Sequence, residues 1–133
     1  MALLKIIGYW KSDMEEQYPH PSAFVGPDWD KDEKQQVIDY LNQGVVLQAY
    51  RGLSWCRFGC KRVNMGSKEM TDGEFLWPEG FVHYIELHNV KPPAQFIQTC
   101  KNSFPAVDLS VCADAYLSDG WWLAQTKDDQ DGV

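Results

Sequence analysis

The segment "WDKDEKQQVIDYLNQ", residues 29–43, carries helix start and stop signals at both ends, and the rest of the fold has to be arranged around it. Asp30 stands three residues ahead of Glu33, an Asp version of the capping box. Val37, Ile38 and Leu41 share one apolar face, and Gly44 is a natural C-terminal stop. The β-branched run "VVLQAY" follows at once as a strand. "ALLKIIGYW" reads as a first strand and "EFLW" as a short one. Between them, "KSDMEEQYPHPSAFVGPD" carries three prolines and reads as an ordered surface loop.

Pro78 suits the first turn of a second helix running to about Val90, which "KPP" ends; "AQFIQTCK" is a shorter third. Farther on, "VDLSVCADAYL" fits a helix, "GWWLAQT" fits a closing strand, and "KDDQDGV" reads as a mobile acidic tail. Strands and helices mix without a βαβ rhythm. The expected class is therefore α+β, a small, mainly antiparallel sheet with two or three helices packed on it. One domain over residues 1–126, with the tail at 127–133, suits a chain of 133 residues.

Six each of Trp, Tyr and Phe supply a core and exclude a disordered composition. No stretch is long enough to cross a bilayer, and "MALLKIIGYW" lacks the apolar region and cleavage site of a signal peptide. A cytoplasmic protein with four reduced cysteines is expected. The net charge of −7 argues against general nucleic-acid binding and is compatible with a basic partner.

Two short patterns carry ligand chemistry. "SWCRFGC" places Cys56 and Cys60 four apart, and "FVHYIELHNV" places His83 and His88 five apart. Thiolate and imidazole in this order suit a tetrahedral zinc site, and Gly59 could supply the turn between the sulfurs. Helical geometry opposes it: five positions rotate the chain by roughly 140°. With Phe81 as origin, His88 falls in the apolar stripe with Ile85, while His83 falls on the solvated side with Glu86. The expectation is that the imidazoles diverge, that the cysteines are small buried hydrophobes, and that no metal is held.

A nucleophilic cysteine needs a base and an electropositive setting. Arg57 adjoins Cys56 and His88 could approach it across the fold, but no catalytic motif surrounds them. Asp72 in "TDG" reads as a turn residue, and Glu79 as a charge offsetting a helix dipole. The balance leans away from an enzyme.

Charge is unevenly distributed. Arg51, Arg57, Lys61, Arg62 and Lys68 form a basic stretch with no acidic residue, with Trp55 and Phe58 inside it, a setting suited to an anionic ligand. The segment from Asp13 to Glu33 is acidic, interleaved with Tyr18, Phe24 and Trp29, and suits a basic protein surface. The simpler reading of the basic stretch is a solvated loop whose charges balance acidic neighbours, and that of the acidic segment is aromatics packed onto the sheet with the carboxylates in solvent.

Taken together, "YPHP", "SWCRFGC" and "TDGEFLWPEGFVHYIELHNVKPP" resemble the pattern of a set of small bacterial proteins without an assigned activity. The resemblance covers about residues 9–98 and implies no fold, ligand or reaction. It directs attention to Cys56, Arg57, Asp72, Trp77, Glu79, His83 and His88 as ligand- or partner-binding residues.

The leading expectation is a non-catalytic acidic binding protein, an inhibitor or immunity-type factor that meets a basic protein surface, with no cofactor. The alternative is a small protein that binds zinc or an anionic ligand through Cys56, Cys60, His83 and His88. The third is an enzyme with a Cys-His or carboxylate site.

Overall fold

A computed structural model describes residues 3–11, 16–49, 56, 58, 68–113 and 115–131, the side chains of 126–131 excepted. Five strands, β1 (Leu3–Ile6), β2 (Val45–Ala49), β3 (Lys68–Thr71), β4 (Phe75–Pro78) and β5 (Tyr116–Ser118), form one sheet in the order β2-β3-β4-β1-β5. β2, β3 and β4 pair antiparallel, whereas β1 lies parallel to both β4 and β5. The class is α+β, and the sheet is mixed rather than mainly antiparallel. The β3–β4 pairing is local, closed by the tight turn at Asp72–Gly73, where Gly73 has φ +94°. The parallel pairings bring the first strand back between two later ones, and no short-range signal announces that.

The first helix, α1 (Lys31–Asn42), begins as its sequence requires. Asp30 is the N-cap, and its side chain accepts the Glu33 amide at 2.9 Å. Glu33 does not close the capping box: its carboxylate accepts from Trp29 Nε1 at 2.7 Å and lies 3.1 Å from Lys101. Val37, Ile38, Tyr40 and Leu41 are buried, and α1 packs on α2 (Phe81–His88) and α3 (Ala94–Cys100). Asp30→Ala is expected to destabilise the protein by about 1 kcal/mol, the usual cost of a lost N-cap. Urea unfolding reads this as a lower midpoint at unchanged slope.

Pro78 ends a strand instead of starting a helix. It pairs with Glu69, and the Glu79 amide extends the ladder to the Lys68 carbonyl at 2.8 Å, so α2 begins only at Phe81. The segment expected as a closing strand, "GWWLAQT", is helical, in α5 (Gly120–Asp131), which continues through residues 127–131. Trp122 decides this locally: wholly buried, it donates from Nε1 to the Tyr9 carbonyl at 2.9 Å and stacks on Phe24 at 5.1 Å. α4 (Leu109–Ala113) is shorter than expected, because residues 116–118 leave it to form β5.

Aromatic residues dominate the core. Trp10, Phe24, Phe81, Tyr84 and Trp122 form one cluster; Tyr40, Phe75, Trp77 and Phe96 form a second, joined to the first through Phe81 and Phe96. Phe24 and Trp29 from the acidic segment are therefore buried, and Tyr18 is partly so. Among the described residues no helix is long and apolar enough to cross a membrane.

A buried polar knot closes the β3–β4 turn. Asp72, 3 % exposed, accepts the Tyr40 hydroxyl at 2.6 Å and the amides of Glu74 and Phe75 at 2.9 and 2.7 Å. Burial, and then the hydrogen bond to Asp72, raise the Tyr40 phenol above its ordinary value. Burial, and then the Asp72 charge, raise the Cys100 thiol likewise. Both groups hold their protons more tightly folded than unfolded. Their contribution is complete below the unfolded values, about 8.5 for a thiol and about 10 for a phenol, and is lost as pH rises beyond them. The urea midpoint is expected to fall between pH 8 and pH 11, less steeply in Tyr40→Phe.

Candidate metal centre

Helix α2 presents two histidines on an element fixed to the core at both ends. Phe81 and Ile85 are wholly buried. After His88 the chain turns at Asn89, which adopts the left-handed conformation (φ 54°, ψ 32°), and the Val90 amide bonds back to the Tyr84 carbonyl at 3.2 Å. Lys34 Nζ donates to Asn89 Oδ1 at 2.7 Å, which ties this end to α1. The helix is intact through His88.

The two imidazoles nevertheless converge. Their ring centroids are 5.1 Å apart, and His83 is only 8 % exposed where a solvated side chain was expected. The two backbone positions are separated by roughly 7.5 Å along the helix axis, so the rings reach this distance by bending toward each other. His83 is covered where a two-faced helix would meet solvent, and Cys56, 2 % exposed, comes from the β2–β3 connection to bring its sulfur near both imidazoles. Phe58 stacks on His88 at 4.5 Å and an interplanar angle of 28°, and lies 6.1 Å from the Tyr84 ring.

Cys56 Sγ lies 3.2 Å from His88 Nε2. One donor atom each from Cys56, His83 and His88 lie within 4.8 Å of one another. Tetrahedral zinc, with Zn–S about 2.3 Å and Zn–N about 2.05 Å, needs sulfur–nitrogen separations of about 3.6 Å and a nitrogen–nitrogen separation of about 3.3 Å. With every separation no more than 4.8 Å, the three donors are thus within about 1.5 Å of a metal geometry, a shift that side-chain torsions can supply. Cys100 and Cys112 are free thiols.

The other residues singled out in the sequence divide cleanly. Asp72 belongs to the buried turn, away from this group. Trp77, 1 % exposed, is a core residue of β4. Glu79 sits in the turn before α2, outside the donor group. Arg57 and Cys60 lie outside the described residues, as does the basic stretch apart from Cys56, Phe58 and Lys68. Sequence reasoning passed over His20, which packs edge-on against Phe58 at 5.7 Å, so all three histidines of the chain gather around one short segment. His20 Nδ1 accepts the Ser22 amide at 3.1 Å, capping the 3-10 turn Pro21–Phe24. The prolines flanking it in "YPHP" were the available signal, since they hold that backbone extended.

Models of known protein families, curated proteins and solved structures give no match to this chain.

Proposed function

We propose that the protein binds one transition-metal ion, zinc by ligand preference, through Cys56, His83 and His88, and that this centre is its functional site. The mutual approach of the three donors within 4.8 Å carries the reading. The donor set narrows the metal. Thiolate and imidazole favour zinc and its soft or borderline neighbours, whereas magnesium, calcium and manganese favour oxygen. Among the described residues the donor group contains no carboxylate. A cytoplasmic setting fits, because it keeps the thiol reduced and able to ligate.

A second reading has its own observation. The 3.2 Å contact between Cys56 Sγ and His88 Nε2 suits a nucleophile and its base. That role gives no reason for His83 to converge, and a thiol 2 % exposed offers little room for an incoming electrophile. The metal reading accounts for all three side chains.

The test is a titration of chelator-stripped, reduced protein with zinc in competition with a chromophoric chelator. Saturation at one ion per chain is expected. Zinc that stays with the chelator at every protein concentration contradicts the proposal.

A further inference from the structure

Three donors and a dication leave two quantities unbalanced, coordination number and charge. A thiolate and two neutral imidazoles supply three of the four positions that zinc prefers. They also leave one net positive charge in a site where Cys56 and His83 are 2 % and 8 % exposed. An uncompensated charge is costly where two of the three donors are buried beside aromatic rings. The group has no carboxylate among the described residues. A monovalent anion in the fourth position would balance both quantities at once.

Access is uneven around the triad. Cys56 and His83 are buried, while His88 is half-exposed, with Phe58 covering one face of its ring. A small ligand would enter on the His88 side, past an aromatic wall of Phe58 and Tyr84. Phe58 and Tyr84 themselves carry no positive charge, so at this wall the attraction for the anion comes from the ion itself.

We infer that the metal bound at Cys56, His83 and His88 keeps its fourth position for a small monovalent anion from solution, so that the site is a ligand-binding metal centre and not a closed structural staple. The inference rests on the metal reading above. Cys60, four residues from Cys56, is the nearest competitor in the sequence for that position. A second thiolate there would close the shell and neutralise the charge.

Cobalt(II), which takes the place of zinc in such sites and has a visible spectrum, separates these outcomes. The full-length reduced protein and its Cys60→Ala variant are each loaded with one equivalent of cobalt and titrated with sodium azide. The expected result is a tetrahedral spectrum in both, with the sulfur-to-cobalt intensity of one thiolate, and a saturable change of the visible bands on adding azide. A two-thiolate intensity that Cys60→Ala halves, with bands indifferent to azide, overturns the inference and leaves metal binding intact. A one-thiolate spectrum that ignores azide overturns the inference alone as well. No tetrahedral spectrum in the wild type overturns the inference together with the metal reading.

Discussion

His88→Ala is expected to lower zinc affinity by well over the roughly 10–100-fold that loss of a group merely supporting a ligand would cost. His88 contributes a donor atom 3.2 Å from the Cys56 sulfur, and the described residues place no other imidazole in the group besides His83. Two donors cannot hold zinc against competing chelators as three can. Cys56→Ser is expected to act in the same direction, because a hydroxyl is a poor substitute for a thiolate. His20→Ala is the control: its ring touches Phe58 but lies outside the donor group, so affinity should hardly change. Stability should follow occupancy. An ion present at a hundred times its dissociation constant stabilises the native state by about 2.7 kcal/mol, provided the unfolded chain binds it weakly. Thermal unfolding with and without zinc should therefore separate in the wild type and coincide in His88→Ala. A zinc-dependent rise that survives in His88→Ala would place the ion elsewhere.

The second large effect concerns the core. Phe96→Ala is expected to destabilise the protein by about 3–5 kcal/mol, the cost of removing a buried aromatic side chain and leaving a cavity. Phe96 is wholly buried, and its ring meets those of Tyr40, Phe75, Trp77 and Phe81. It thus connects α1, the sheet and α2, and few neighbours can relax into the space without breaking another ring contact. The loss is a large share of the roughly 5–15 kcal/mol that separates a typical domain from its unfolded chain. Urea unfolding measures it through the midpoint. A midpoint close to wild type would mean that these rings do not pack as described. If the variant is too unstable to purify, Phe96→Leu, which leaves a smaller cavity, should give a smaller shift in the same direction.

What the sequence disclosed, it disclosed through local physics. Asp30 capped a helix because a short acceptor just before an apolar stripe satisfies amides that the helix itself cannot. Asp72 formed a turn for a similar reason, and Thr71 and Gly73 completed it. The failures share a different cause, since each depended on a partner distant along the chain. Nothing in "GWWLAQT" says that Trp122 will stack on Phe24 and bond to the Tyr9 carbonyl, and its apolar run was equally compatible with a strand. The parallel insertion of β1 between β4 and β5 was likewise invisible, because it joins residues near 4 to residues near 76 and 117.

The histidines show the same limit at the site. Angular position on α2 was computed correctly from the helical repeat, and it separated the two rings. It took one side of the helix to be core and the other to be water. His83 is nevertheless buried, and Cys56 from the β2–β3 connection gives both imidazoles a common neighbour. Of the two readings open to the aromatic residues of the acidic segment, the simpler one holds for Phe24 and Trp29, which are core residues in the fold.

The most direct test of the proposed centre is X-ray absorption at the zinc edge, on full-length reduced protein carrying one equivalent of zinc. The account predicts a first shell with one sulfur at about 2.3 Å and two imidazole nitrogens at about 2.0–2.1 Å, plus one light donor. A shell made only of oxygen and nitrogen, or one in which imidazole scattering is missing, would contradict it.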